Sequence, residues 1–185
     1  MPSSEPIFLT GMMGSGKSSL GRKLASLLRW QFIDLDGQVE KRAGLTVSEI
    51  FDKLGEQAFR TFESEALLGL ADSTDCVIAL GGGTLMNTNN LSIVLRSGTL
   101  VYLQMSEEAI IARLREINST DRPLLDQKFS EYAETTEQNE SCGALLRARE
   151  PGYSAAHVVV AVADLTPIES LEGLKSALPG YEFEK

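Results

Sequence analysis

Residues 7–21 read IFLTGMMGSGKSSLG, and no other stretch limits the fold so tightly. The apolar run Ile7–Thr10 has the look of a strand. It leads directly into Gly11-Met12-Met13-Gly14-Ser15-Gly16-Lys17-Ser18, which matches G-x-x-x-x-G-K-[ST]. Each residue type in that pattern has a physical reason. Glycines let the backbone wrap a polyphosphate and turn its N–H groups inward. A helix starting near Lys17 aims the positive end of its dipole at the same point. Lys17 supplies charge to the β and γ phosphates, and the Ser18 hydroxyl reaches a magnesium ion. The stretch therefore predicts strand, loop and helix in that order, with a magnesium-bound nucleoside triphosphate against the loop.

The remaining pattern fits a sheet that carries such a loop. Leu20, Leu24, Leu27 and Leu28 fall on one helix face. Strand-like runs recur at 30–34, 76–80, 99–103 and 158–162, and helical patterns separate them. Thr46-Val47-Ser48-Glu49 is a capping box, opening a helix with Ile50, Phe51 and Leu54 on its inner face until Gly55 breaks it. A further helix carries Phe59, Phe62, Ala66 and Leu70. Ser106 caps another, with Glu107 and Glu108 at its positive end. Alternating strands and helices predict an α/β fold with a mainly parallel sheet, whose ligands gather at the carboxyl ends of the strands. The chain has the length of one domain. A net charge of −9 argues against nucleic acid or an acidic membrane as partner. Any anion site must then be built locally. Cys76 and Cys142 stand apart, which favours free thiols in a reducing compartment. With no signal-peptide pattern and no membrane-length apolar run, the expected location is cytoplasmic.

Several clusters offer an acceptor site. In FIDLDGQVEKRAG, Asp34 and Asp36 lie two apart at a strand end, and their side chains share a direction if the strand continues. One carboxylate can help hold magnesium while the other bonds a hydroxyl and accepts its proton; Asp-x-Asp-Gly is equally good turn chemistry. Arg60 and Glu63 have the spacing of an intrahelical pair, and an arginine on that apolar edge is also suited to a two-pronged grip on a carboxylate. Gly81-Gly82-Gly83 directly after a buried strand costs entropy, which makes sense where a ligand must approach the main chain. Arg115, Arg122, Arg147 and Arg149 stand out in an acidic chain, although each alone reads as surface.

Together, the loop GMMGSGKSS, the strand end FIDLD, the segment SEIFDKLGEQAFRTFE, the glycine triplet and RPLL with an arginine seven residues before it resemble the shikimate kinase family, from Ile7 to about Tyr153. The resemblance implies a monomeric P-loop kinase of three-layer α/β/α architecture, with a five-stranded parallel sheet of order 2-3-1-4-5. It also implies acceptor-binding helices at about 36–65 and a lid at about 116–140. The implied reaction moves the γ-phosphoryl group of ATP to the 3-hydroxyl of shikimate, with Mg2+, on the way to chorismate. By the same resemblance Gly14, Ser15, Gly16, Lys17, Ser18 and Ser19 cradle the phosphates, and Ser18 and Asp34 serve the metal. Asp36 bonds the acceptor hydroxyl as base. Arg60 and Arg149 clamp the carboxylate beside Gly81, Gly82 and Gly83. Arg122 is the lid arginine, catalytic with Lys17 and Asp36, and Arg115 packs by adenine. Arg149 is preferred to Arg147 because REPGY keeps the family's spacing. The stretch from Arg122 to Arg149 is longer than usual for the family, and His157 stands where the family has a small residue; it is assigned no role. Two rivals, a gluconate-type kinase and a silent kinase-like binding protein, fit less well: the first does not account for Asp34, Asp36, Arg60 and the triplet together, and the second should lack a key side chain.

Overall fold

A computed structural model of the chain describes residues 4–119, 136–163 and 165–183, with side chains for 4–113, 142–163 and 165–183. Five strands, β1 (Ile7–Thr10), β2 (Gln31–Asp34), β3 (Cys76–Ala79), β4 (Thr99–Gln104) and β5 (Val158–Ala161), form one parallel sheet in the order β2-β3-β1-β4-β5. This is the expected order. Leu9 of β1 lies level with Ala79 and Val101, so β1 and β3 end within a residue of each other while β4 runs on to Gln104. Side chains alternate across the sheet. Ile7 and Leu9 join one core with Leu20, Leu24 and Leu28, whereas Phe8 joins the other with Ile78, Ile50, Phe59 and Val94.

The helices are α1 (Lys17–Leu28), α2 (Leu35–Ala43), α3 (Val47–Leu68), α4 (Thr88–Ser97), α5 (Glu107–Ser119), α6 (Thr136–Tyr153) and α7 (Pro167–Ser176). Gly21 lets α1 lie close on the sheet: a Cβ there would come within 2.6 Å of the Phe32 ring. The capping box of α3 forms as read, with Thr46 Oγ1 accepting from the Glu49 amide and the Glu49 carboxylate accepting from the Thr46 amide. Gly55 (φ 82°, ψ 170°) kinks α3 at the expected break. Leu54, the last residue before that kink, was expected on the inner face and is instead 51% exposed, while Ile50 one turn earlier is buried. Leu70 lies beyond the end of α3.

One expectation about the site is corrected here. β2 stops at Asp34 and α2 begins at once, so Asp36 sits in the first turn of a helix and not on a continuing strand. Leu35 and Val39, four residues apart and fully buried, anchor that helix against the sheet. The lid segment expected at 116–140 lies mostly outside the described residues; its two ends belong to α5 and α6. Cys76 and Cys142 are buried and free. No described helix is long and apolar enough to cross a membrane.

Candidate active site

The loop between β1 and α1 has left-handed or similarly positive φ at Gly11 (139°), Gly14 (77°) and Gly16 (90°), a backbone that side chains resist. Gly11 also leaves no room: a Cβ would stand 2.7 Å from the Leu103 carbonyl oxygen. Lys17 Nζ donates to the Gly11 and Met12 carbonyls at 2.8 and 3.0 Å, which folds the ammonium over the loop. Burial lowers its pKa to about 8, against the pull of Asp36 and Asp34. Ser15 is buried and Ser19 exposed, while Gly14, Lys17 and Ser18 face the cavity. Ser18 Oγ donates to Asp34 Oδ2 at 2.9 Å, bringing together the two oxygen groups expected to serve a metal.

That cavity, of about 680 Å³, opens at the carboxyl ends of β1, β2 and β3. Lys17, Asp34, Asp36, Arg60 and Arg149 all line it together with the glycine triplet. Asp36 is pushed up to about pKa 6, first by burial, then by the neighbouring charges of Asp34 and Glu63, with Lys17 opposing. Its Oδ1 is buried without a hydrogen-bond partner among the described residues and lies against the glycine turn, 3.4 Å from where a Cβ on Gly81 would stand.

Glu63 is 1% exposed and carries a dense set of contacts. Its Oε1 accepts from Thr84 Oγ1 at 2.5 Å, and its Oε2 accepts from Arg60 Nη1 at 2.9 Å. Arg60 also donates through Nη2 (3.1 Å) and Nε (3.3 Å) to Glu56 Oε1, and its guanidinium lies 5.1 Å from the Phe59 ring centre. The two carboxylates hold the Arg60 charge on, raising its pKa despite burial.

The triplet is also tightly packed by the protein's own side chains. None of the three glycines has positive φ. Instead each missing Cβ is replaced by a charged side chain packed on the turn. A Cβ on Gly81 would meet Glu63 Oε1 at 2.7 Å, one on Gly82 would meet Arg149 Nη1 at 2.9 Å, and one on Gly83 would meet Arg60 Nη2 at 3.0 Å. Side chains of the site therefore occupy the space that a Cβ at each of these positions would take. Tyr153 fixes the turn from below, its hydroxyl donating to the Gly82 carbonyl at 2.6 Å.

Among the arginines, Arg149 reaches the turn, whereas Arg147 is 69% exposed and pairs with Glu107. Arg122 and the side chain of Arg115 lie outside the described residues. Arg113 is the residue that sequence reasoning missed. Its Nη1 donates to the Gly14 carbonyl at 2.9 Å and so straps the phosphate loop from α5. Its spacing of three from the fully buried Ile110 is the one local signal, placing it near the inward face of α5 without revealing its partner. His157, half a sheet away, accepts the Leu100 amide on Nδ1 and plays a structural part.

A parallel sheet of this order, with a phosphate loop after its central strand and an anion-gripping pocket beside it, defines a P-loop small-molecule kinase. The family profile described as Shikimate kinase matches residues 13–178. A shikimate kinase of Chlorobium limicola is 42% identical over 154 residues, 83% of this chain and 76% of that one. The crystal structure of shikimate kinase from Bacteroides thetaiotaomicron superposes with a TM-score of 0.83 at 33% identity, covering 96% of this chain and 99% of that one. Shikimate kinase from Acinetobacter baumannii, solved in complex with shikimate, gives 0.79 at 31% identity over 95% and 94%. The chain belongs to the shikimate kinase family.

Proposed function

We propose that this protein moves the γ-phosphoryl group of ATP to the 3-hydroxyl of shikimate, with the roles set out here. The observation that carries the reading is the single cavity shared by Lys17 of the phosphate loop, the carboxylate of Asp36 and the arginines Arg60 and Arg149. One end suits a triphosphate and the other a small carboxylated ring. Arg60 and Arg149 grip the carboxylate across Gly82 and Gly83. Asp36, with its raised proton affinity and unpartnered oxygen, accepts the hydroxyl proton as that oxygen bonds to Pγ. The bond from Pγ to the bridging oxygen breaks, and ADP leaves. Lys17 swings from the loop carbonyls onto the β and γ phosphates, and the N–H groups of Gly14 to Ser19 surround them.

The donor set also suits Mg2+, since a hydroxyl and a carboxylate already in contact are what this ion takes beside phosphate oxygens and water. Ser18 and Asp34 would hold it, and when bound it neutralises charge on the bridging and terminal phosphate oxygens. Arg122 belongs in this reading as the lid arginine and Arg115 as the neighbour of adenine. Action as a monomer belongs to the same reading, and the acidic balance and free thiols suit the cytoplasm.

The test is ADP release from ATP and magnesium, with shikimate or gluconate as acceptor. Shikimate should raise the rate far above the ATP-only background and gluconate should not. A shikimate rate equal to that background defeats the proposal.

A further inference from the structure

We propose that Glu56 is an internal stand-in for the acceptor's carboxylate: it occupies the side edge of Arg60 in the free enzyme and must release it when shikimate binds, so that this one exposed residue sets acceptor affinity. The inference rests on the function proposed above.

Arg60 has five N–H donors. Three are engaged by the chain's own carboxylates, Nη1 by Glu63 and both Nη2 and Nε by Glu56. These two partners are held very differently. Glu63 is buried to 1% exposure, takes a second hydrogen bond from Thr84 and packs on Gly81. It is part of the scaffold. Glu56 is 67% exposed, and among the described residues its hydrogen bonds all go to Arg60. The break at Gly55 puts it in the first turn of the second half of α3, four residues ahead of Arg60, where it lines the cavity.

The chemistry of the edge explains why it can be displaced. The Nε and Nη2 pair is the fork that meets a carboxylate with two parallel hydrogen bonds. Glu56 offers the fork a single oxygen, at 3.1 and 3.3 Å, longer than the usual charge-assisted distance of about 2.7–2.9 Å. A substrate carboxylate presenting both oxygens makes the better match, with Arg149 beside it. Charge points the same way. Glu56 and Glu63 together already outweigh the one cation between them, so an arriving anion is repelled until Glu56 swings into solvent. A ligand without a carboxylate gains nothing from breaking the pair. Glu56 therefore lowers affinity for the true acceptor and preserves Arg60 for carboxylates.

The sign of this effect is opposite to that of a positioning residue, which makes it easy to test. Shikimate is titrated against the wild type, Glu56→Gln and Glu56→Ala, in the ADP-release assay and by calorimetry without nucleotide. Both variants should bind shikimate about three- to tenfold more tightly, as expected for release of an exposed ion pair, with the KM for ATP unmoved. The methyl ester of shikimate should show no such gain. Unchanged or weakened shikimate binding in both variants overturns the inference. Calorimetry reads this without turnover, so a wild type that releases no ADP with shikimate counts against the proposed reaction, while a fully active wild type with no gain in the variants counts against Glu56 alone.

Discussion

Asp36 concentrates the conflict between folding and chemistry at the scale of one residue. Its carboxyl titrates near pH 6, pushed up mainly by burial, whereas the unfolded chain titrates it at the ordinary value of 3.8. The folded state thus binds the proton more tightly, and stability attributable to this group is present below pH 3.8 and lost as pH rises to 6. Above that, holding the charge costs at most about 3 kcal/mol. Asp36→Asn removes the penalty and the base together. The variant should melt several degrees higher at pH 7.5 by calorimetric scanning, while kcat falls about a hundredfold or more. In the wild type kcat/KM should rise through about pH 6 as Asp36 ionises, and fall above about pH 8 as Lys17 loses its proton. Asp36→Asn should keep the alkaline limb and lose the acid one. An acid limb surviving that substitution would assign it to another group.

At the scale of elements, the glycine triplet between β3 and α4 shows what a sequence can and cannot reveal. Its position after a buried strand was legible, because a run of apolar residues followed by glycines is a local signal. The packing around it was not legible, because the atoms that fill the missing Cβ positions come from α3 and α6, distant in sequence. Gly83 has φ −105° and so tolerates a side chain on backbone grounds. Gly83→Ala should therefore fold normally, yet its Cβ must push an Arg60 head that Glu56 and Glu63 pin in place. The KM for shikimate should rise about tenfold with the KM for ATP within twofold, read from initial rates at saturating partner substrate. Equal rises in both would mean that the turn itself had moved. The same contrast of local and distant causes runs through the fold. The five strands, α1 and the α3 cap declare themselves through periodicity and capping. By contrast α2 has only Leu35 and Val39 as inward residues, and its opening Asp-x-Asp-Gly is also turn chemistry, so the sheet beneath it decides the outcome. Arg113 escaped notice because a loop carbonyl 99 residues away is its partner.

For the whole molecule, the question is how a chain with net charge −9 captures two anions. Among the described residues of its walls the pocket does not reverse the sign, since Asp34, Asp36, Glu56 and Glu63 outnumber Lys17, Arg60 and Arg149. Attraction must therefore act at contact, through directed hydrogen bonds, while the longer-range field repels. Salt separates the two. Screening reaches about 30 Å at 0.01 M ionic strength and about 8 Å at 0.15 M, so added salt removes the repulsion of the distant surface before it weakens pairs about 3 Å apart. Spreading the charge over a sphere of about 20 Å radius gives a change near 0.6 kcal/mol per unit charge between those two conditions. The kcat/KM for shikimate should thus climb about two- to threefold as salt rises over that range, and that for magnesium-bound ATP, with about twice the charge, by about the square of that factor. Stopped-flow or steady-state rates at fixed pH and magnesium would measure both slopes. A decline in both from the lowest salt upward would show instead that the mouth of the site draws anions in, and that the basic side chains act well beyond contact.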